Sequence, residues 1–118
     1  MANTSRKQKL KELLFSSPKF HAGVNVTVRD GDKWMKEIGK DVILKDLDDE
    51  AVGFGEIIGG LYTNIGDIPD NILKLEHDKD CTTTRGIWRE MQNVYHKTFS
   101  FYDKVTVLFF RLQDREEF

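Results

Sequence analysis

The chain has 118 residues, of which 39% are hydrophobic and 32% charged. That suffices for one domain with one core and argues against disorder over most of the length. A formal net charge of −2 lacks the basic footprint of a strong nucleic-acid binder. No apolar run approaches the length of a membrane span and no leader-like segment opens the chain, so a soluble, cytoplasmic protein without a membrane partner is expected.

The charge is uneven. Residues 1–22 carry +4 through Arg6, Lys7, Lys9, Lys11 and Lys19 against Glu12, and the remainder carries −6. Asn3, Thr4 or Ser5 can cap a short basic helix running to Phe15, with Leu10, Leu13 and Leu14 as its apolar stripe. Ser16-Ser17-Pro18 ends it, because the residue before proline is pushed out of the helical region. Residues 1–21 thus read as a basic helix and lead-in, a solvated face or an arm for phosphate backbones.

Next comes the stretch around which the chain is organised, Gly23 to Trp34. Val24, Val26 and Val28 alternate with Asn25, Thr27 and Arg29, the period of a strand with an apolar face toward the core and a polar row outward. Asp30-Gly31 then turns the chain. Residues 32–39 form a short turn offering Trp34, Met35 and Ile38, and Val42-Ile43-Leu44 is a second strand. Asp46-Leu47-Asp48-Asp49-Glu50 reads as a solvated acidic turn, lacking the spaced ligands of a calcium loop. Ala51 to Tyr62 make a long third strand, where Gly53, Gly55, Gly59 and Gly60 suit bulges or strong coiling in a small closed barrel.

Ile68-Pro69-Asp70 begins a short helix with Ile72, Leu73 and Leu75. From Thr82 to Lys97, Ile87, Trp88, Met91, Val94 and Tyr95 follow the helical period and form a core-facing stripe. The acidic cluster Glu76 to Asp80 precedes this helix; its aspartates, or one of Thr82 to Thr84, can cap it. Lys104 to Leu112 form a last strand, apolar on both faces and hence central. Asp114 to Phe118 close the chain as a polar tail.

Cys81 is the sole cysteine, which excludes an internal disulfide and a cysteine zinc cage and reads as a small packing residue. His21, His77 and His96 show no short metal-ligand spacing. No metal and no cofactor are expected.

In this order the elements resemble the ASCH family, whose members have a PUA-like β-barrel flanked by helices; the fold class expected is therefore α+β. The resemblance covers roughly residues 22–112. It rests on Thr27-Val28-Arg29, Gly39-Lys40-Asp41-Val42, the glycine-bearing third strand, Ile68-Pro-Asp-Asn-Ile72, Glu76-His77-Asp78 and the closing Val105-Thr-Val107. It implies a cleft between barrel and helices that takes RNA, a nucleotide or a nucleoside. Arg29 takes the family's arginine and Thr27 its Thr/Glu position, while Val24 stands where the family has lysine.

That departure matters. Members similar to 4-acetylcytidine amidohydrolases use a lysine, a threonine and a later carboxylate. Here Thr27 and Asp80 (or Asp78) would supply hydroxyl and carboxylate, leaving only Lys19 or Lys33 on neighbouring loops to bring an amine. A threonine without an activating base is a poor nucleophile, so binding ranks above amide hydrolysis. In the binding reading Arg29 pairs with a phosphate or base edge, Asn25 and Thr27 hydrogen-bond a heterocycle, Trp34 covers the mouth and stacks on a base, Lys33 is a further ligand contact, and His77 and Asp78 form the opposite wall. A protein-interaction module with no small ligand is the third reading.

Overall fold

A computed structural model of the protein describes residues 10–114. The described strands are β1 (Lys11–Phe15), β2 (Val24–Asp30), β3 (Asp41–Asp46), β4 (Ala51–Asn64) and β5 (Lys104–Gln113). Between them lie a single helical turn, α1 (Asp70–Leu73), and a longer helix, α2 (Thr84–Tyr95). One mixed sheet has the order β1-β3-β4-β5-β2. β1 runs parallel to β3, and the other neighbours are antiparallel. The sheet curls into a half-barrel, helped by a register shift between Ile57 and Gly59 in β4, since a bulge sharpens the local twist. Its edges, β1 and β2, do not pair, so the barrel expected to be closed stops short of closure.

The curl divides the core in two. On β5, Val105 and Val107 face one cluster with Ile65, Leu73, Ile87 and Met91, while Leu108 and Phe110 face another with Leu13, Val42, Leu44 and Ile57. The first cluster packs the sheet against α1 and α2; the second fills the inside of the curl. This is the physical sense of an apolar run without alternation: both faces are covered.

β2 behaves in the same way. Val26 and Val28 face the helices, as the alternation predicts, but the polar row on the other face is not solvated. Asn25 and Thr27 are buried, opposite Phe110 and Leu108 of β5. The period of two located the faces correctly, yet it could not tell water from the inside of a curl. At the end of β2 the chain turns at Gly31, whose φ of +74° is the left-handed conformation that glycine adopts without strain.

The helix expected to reach Phe15 is replaced, over the described part, by strand β1. Leu13 and Phe15 are buried while Lys11, Glu12 and Leu14 are exposed, a two-residue period hidden by the helical spacing of Leu10, Leu13 and Leu14. What decides between the two is the free edge of β3, which gives β1 a partner from Lys11–Val42 to Phe15–Asp46. Lys45 reinforces the junction, donating to Glu12 Oε2 at 2.8 Å and Asp49 Oδ1 at 2.9 Å. Residues 1–9, with most of the basic cluster, and the end of the tail at 115–118 lie outside the described residues.

α2 is capped by Thr83, whose Oγ1 accepts from the Gly86 N–H at 3.0 Å. It ends at His96 with φ 54°. Among the described residues no helix is long and apolar enough to cross a membrane.

Candidate functional site

The seam between β1 and β2 is where the site forms. Leu75 to His77 lie along the free edge of β2: the Val26 N–H donates to Leu75 O at 2.9 Å, and the His77 N–H donates to Val26 O at 3.2 Å. This short parallel bridge between Val26 and Glu76 carries Glu76 and His77 to the opening that β1 leaves. Asn25 secures the segment indirectly. Its Nδ2 donates to His21 O at 2.8 Å and its Oδ1 accepts from the His21 N–H at 3.1 Å, while His21 Nε2 lies 2.8 Å from Leu75 O.

A cavity of about 260 Å³ opens here between the sheet and α2. Thr27 and Arg29 come from β2, Phe15 and Ser16 from the end of β1, Glu76 to Asp78 from the segment on the β2 edge, and Glu90, Val94 and Tyr95 from α2. Leu14, Leu47, Val94 and Tyr95 are exposed apolar side chains at its lining. The Ser16 hydroxyl donates to Glu90 Oε2 at 3.1 Å, tying the end of β1 to α2. Phe15, which lines the cavity, packs with Phe20 and Phe110, the three ring centroids 5.0–5.7 Å apart.

Arg29 is the cation of the cleft. Its Nη2 donates to Thr27 Oγ1 at 3.2 Å, and its guanidinium carbon lies 4.9 Å from the Phe15 ring centroid, within cation–π range. Its Nε is buried and has no hydrogen-bond partner. Burial lowers the guanidinium pKa from its ordinary value, opposed by the Coulombic pull of Tyr95 and Glu76. It stays charged all the same, because arginine starts from so high a value.

Opposite lies a carboxylate–imidazole pair. His77 Nδ1 is 2.6 Å from Glu76 Oε1 and 3.3 Å from Val26 O. The Glu76 carboxyl is almost fully buried and also accepts from the Asp78 N–H at 3.1 Å. The His77 ring stands edge-on to Phe15 at 4.8 Å, so both Arg29 and His77 pack against the Phe15 ring. Asp78 lines the cleft, but its Oδ1 accepts from the Asp80 N–H at 3.0 Å and caps the turn Lys79–Cys81.

The sequence-derived candidates therefore divide. Thr27, Arg29, His77 and Asp78 are brought together in one cavity. Asn25 is buried and spends its amide on His21. Trp34 is buried inside the curl with Leu13 and Leu108 instead of covering the mouth, with Lys11 Nζ 5.5 Å from its ring centroid. Lys33 is exposed and outside the cleft lining, and so is Asp80, which borders a shallow depression beside Arg85 and Arg89. Among the described residues no lysine lines the cleft. Glu76, Glu90 and Tyr95 were not singled out as ligand contacts. Glu76 had a legible signal, its place in the Glu76-His77-Asp78 run; Glu90 and Tyr95 had none beyond lying on α2.

Cys81 also touches the cavity but is buried, and its thiol is pushed far above the ordinary range, first by burial and then by the carboxylates of Glu76, Asp78, Glu90 and Asp80. A thiol so held is a poor nucleophile.

A curled mixed sheet open along one seam, with a helix over the opening and a polar row beneath, defines an α+β fold of the PUA-like, ASCH type. Solved structures share it. An ASCH domain from Lactobacillus crispatus JV V101 superposes with a TM-score of 0.60 at 6% identity, over 94% of this chain and 84% of that one. A protein from Enterococcus faecalis V583 of the DUF984 family superposes with a TM-score of 0.57 at 14% identity, over 76% of this chain; this chain spans 61% of that protein's length. No protein-family model matches the sequence, and no curated protein does. At such identities the likeness shows the fold.

Proposed function

We propose that the cleft binds the base of a nucleoside or nucleotide. The observation that carries this reading is the buried guanidinium of Arg29, unpaired at Nε, in a cavity walled by aromatic and apolar side chains. An unpaired buried donor is costly, and a pocket of this kind with few convergent polar groups is the usual form of a small-ligand site. The size supports nothing larger than a single base with part of its sugar, since about 260 Å³ lies just below the usual range of ligand pockets, about 300–1,000 Å³. Tyr95, Val94 and Leu14 offer apolar surface for the faces of a flat ring.

Charge selects within the class. One guanidinium shares the lining with Glu76, Asp78 and Glu90, a balance that disfavours a phosphate and lacks the several cations with which proteins track a nucleic-acid backbone. The base therefore enters and any phosphate stays outside. The absence of lysine from the described lining removes the amine that an amide hydrolase of the threonine–lysine kind would use, so binding is favoured over catalysis.

The test is a calorimetric and NMR titration with nucleosides, their 5′-monophosphates and short single-stranded RNA. Nucleosides are expected to bind at least as tightly as their monophosphates, with shifts centred on residues 27–29, 76–78 and 90–95. Monophosphates or RNA binding far more tightly, with shifts elsewhere, would overturn the assignment.

A further inference from the structure

We infer that the ligand's flat ring docks on the open edge of β2, where the Val28 N–H and C=O pair with an acceptor and a donor standing side by side on the ring. This rests on the nucleoside reading and adds to it a contact made by backbone instead of a side chain. It fixes the orientation of the base, Watson–Crick edge inward, and sets no preference among the four bases.

The direction of each backbone group on β2 follows from its neighbours. In the antiparallel ladder with β5, successive residues of β2 alternate between facing β5 and facing away from it. Gly31, just past the strand, donates to Lys104 O at 3.2 Å, which turns the odd-numbered residues toward β5. Val26 faces away: its N–H donates to Leu75 O and its C=O accepts from the His77 N–H. Asp30 faces away as well, its N–H donating to the Tyr95 hydroxyl oxygen at 3.2 Å. Val28 lies between them in an unshifted register, so its N–H and C=O face the same open side. Neither has a hydrogen-bond partner among the described residues, although Val28 is only 6% exposed.

That side is the side of the cavity. Glu76 and His77, set against Val26, and Tyr95, set against Asp30, all line it, as does Val28 itself. A buried donor and acceptor left unpaired are costly, and here the two stand together on one edge between lining groups. Length limits what can reach them. Val26 to Asp30 spans about 14 Å at strand spacing; the Leu75–His77 segment occupies one end and the Tyr95 hydroxyl the other. A peptide that adds to a sheet edge pairs along a row of free residues, whereas the edge of one residue between two obstacles suits a small planar ring. Adenine, cytosine, guanine and uracil each carry an acceptor beside a donor on the Watson–Crick edge, so each can meet Val28 as a partner strand would.

The experiment titrates the full chain, labelled with 15N and 13C, with the four nucleosides and with neutral analogues that lose a donor from that edge: 3-methyluridine, 1-methylguanosine and the dimethylamino forms of adenosine and cytidine. A nucleoside that binds is expected to move the Val28 amide proton downfield together with the Val28 carbonyl carbon. Its analogue is expected to bind about tenfold or more weakly. Either an analogue that binds as tightly as its parent or Val28 signals that stay in place on binding overturns the edge contact and leaves the nucleoside reading standing. Binding by no nucleoside defeats that reading and the inference with it. An extended peptide that moves the Val28 signals where nucleosides do not would put a strand in place of the base and overturn both.

Discussion

Replacing Arg29 by methionine separates what that residue does for the fold from what it does for a ligand. The substitution keeps an unbranched stem of similar length in the same apolar surroundings and removes the guanidinium. On one side of the balance, the unpaired Nε donor costs about 1–3 kcal/mol. On the other, the bond to Thr27, long at 3.2 Å, contributes about 1.5 kcal/mol, and the contact with Phe15 about 0.5–2 kcal/mol. No ion pair between Arg29 and Glu76 is formed within 4 Å, and Glu76 keeps His77 and the Asp78 N–H when Arg29 is lost. The two sides cancel to within about 1 kcal/mol, so the variant should unfold within about 8 °C of the parent while nucleoside binding is lost. Urea and thermal unfolding measure the first and calorimetry the second. The sign of the pKa shift agrees: a cation whose pKa is lowered by folding costs stability at every pH where both states are charged, which for arginine is the whole working range. A loss of about 3–5 kcal/mol, the cost of breaking a buried ion pair, would refute this reasoning and make Arg29 a structural partner of Glu76.

Gly86→Ala places a Cβ into overlap with the Asp80 carbonyl oxygen; backbone must move, and urea unfolding should show a loss of about 3 kcal/mol, with a neutral result meaning that the start of α2 shifts freely. Asn25→Ala removes both bonds to His21 from a fully buried position and should cost about 2 kcal/mol by the same assay; a change below about 0.5 kcal/mol would mean that the lead-in is not held by this amide. Cys81 should resist alkylation at pH 8 in the folded protein and react on unfolding. Its thiol pKa is raised by folding, so the unfolded chain ionises first, near pH 8.5, and stability present below that pH declines as pH rises through it. Urea midpoints at pH 7 and pH 10, compared with those of Cys81→Ala, would expose that slope; identical slopes would refute it.

The alternation from Val24 to Arg29 was enough to put Thr27 and Arg29 on one face, and the helical period was enough to place Ile87 and Met91 in the core. Turn chemistry at Gly31 and the cap at Thr83 were equally local and equally legible. The failures share a cause. Lys11 to Phe15 took the conformation that a free β3 edge offered, and Leu10, Leu13 and Leu14 could not announce an edge formed thirty residues later. Trp34 reads as a lid or, more commonly for a tryptophan, a core residue, and only the inside of the curl decides between them.

Sequence by itself determined which side chains share a face, where the chain turns and which stretch carries the polar row, because those depend on spacing and on backbone preferences a few residues wide. Only the tertiary structure decided what each face meets. The open seam between β1 and β2, the bridge that sets Glu76 and His77 against Val26, and the burial of Arg29 arise from contacts about fifty residues or more apart in places, whose energies no local pattern encodes.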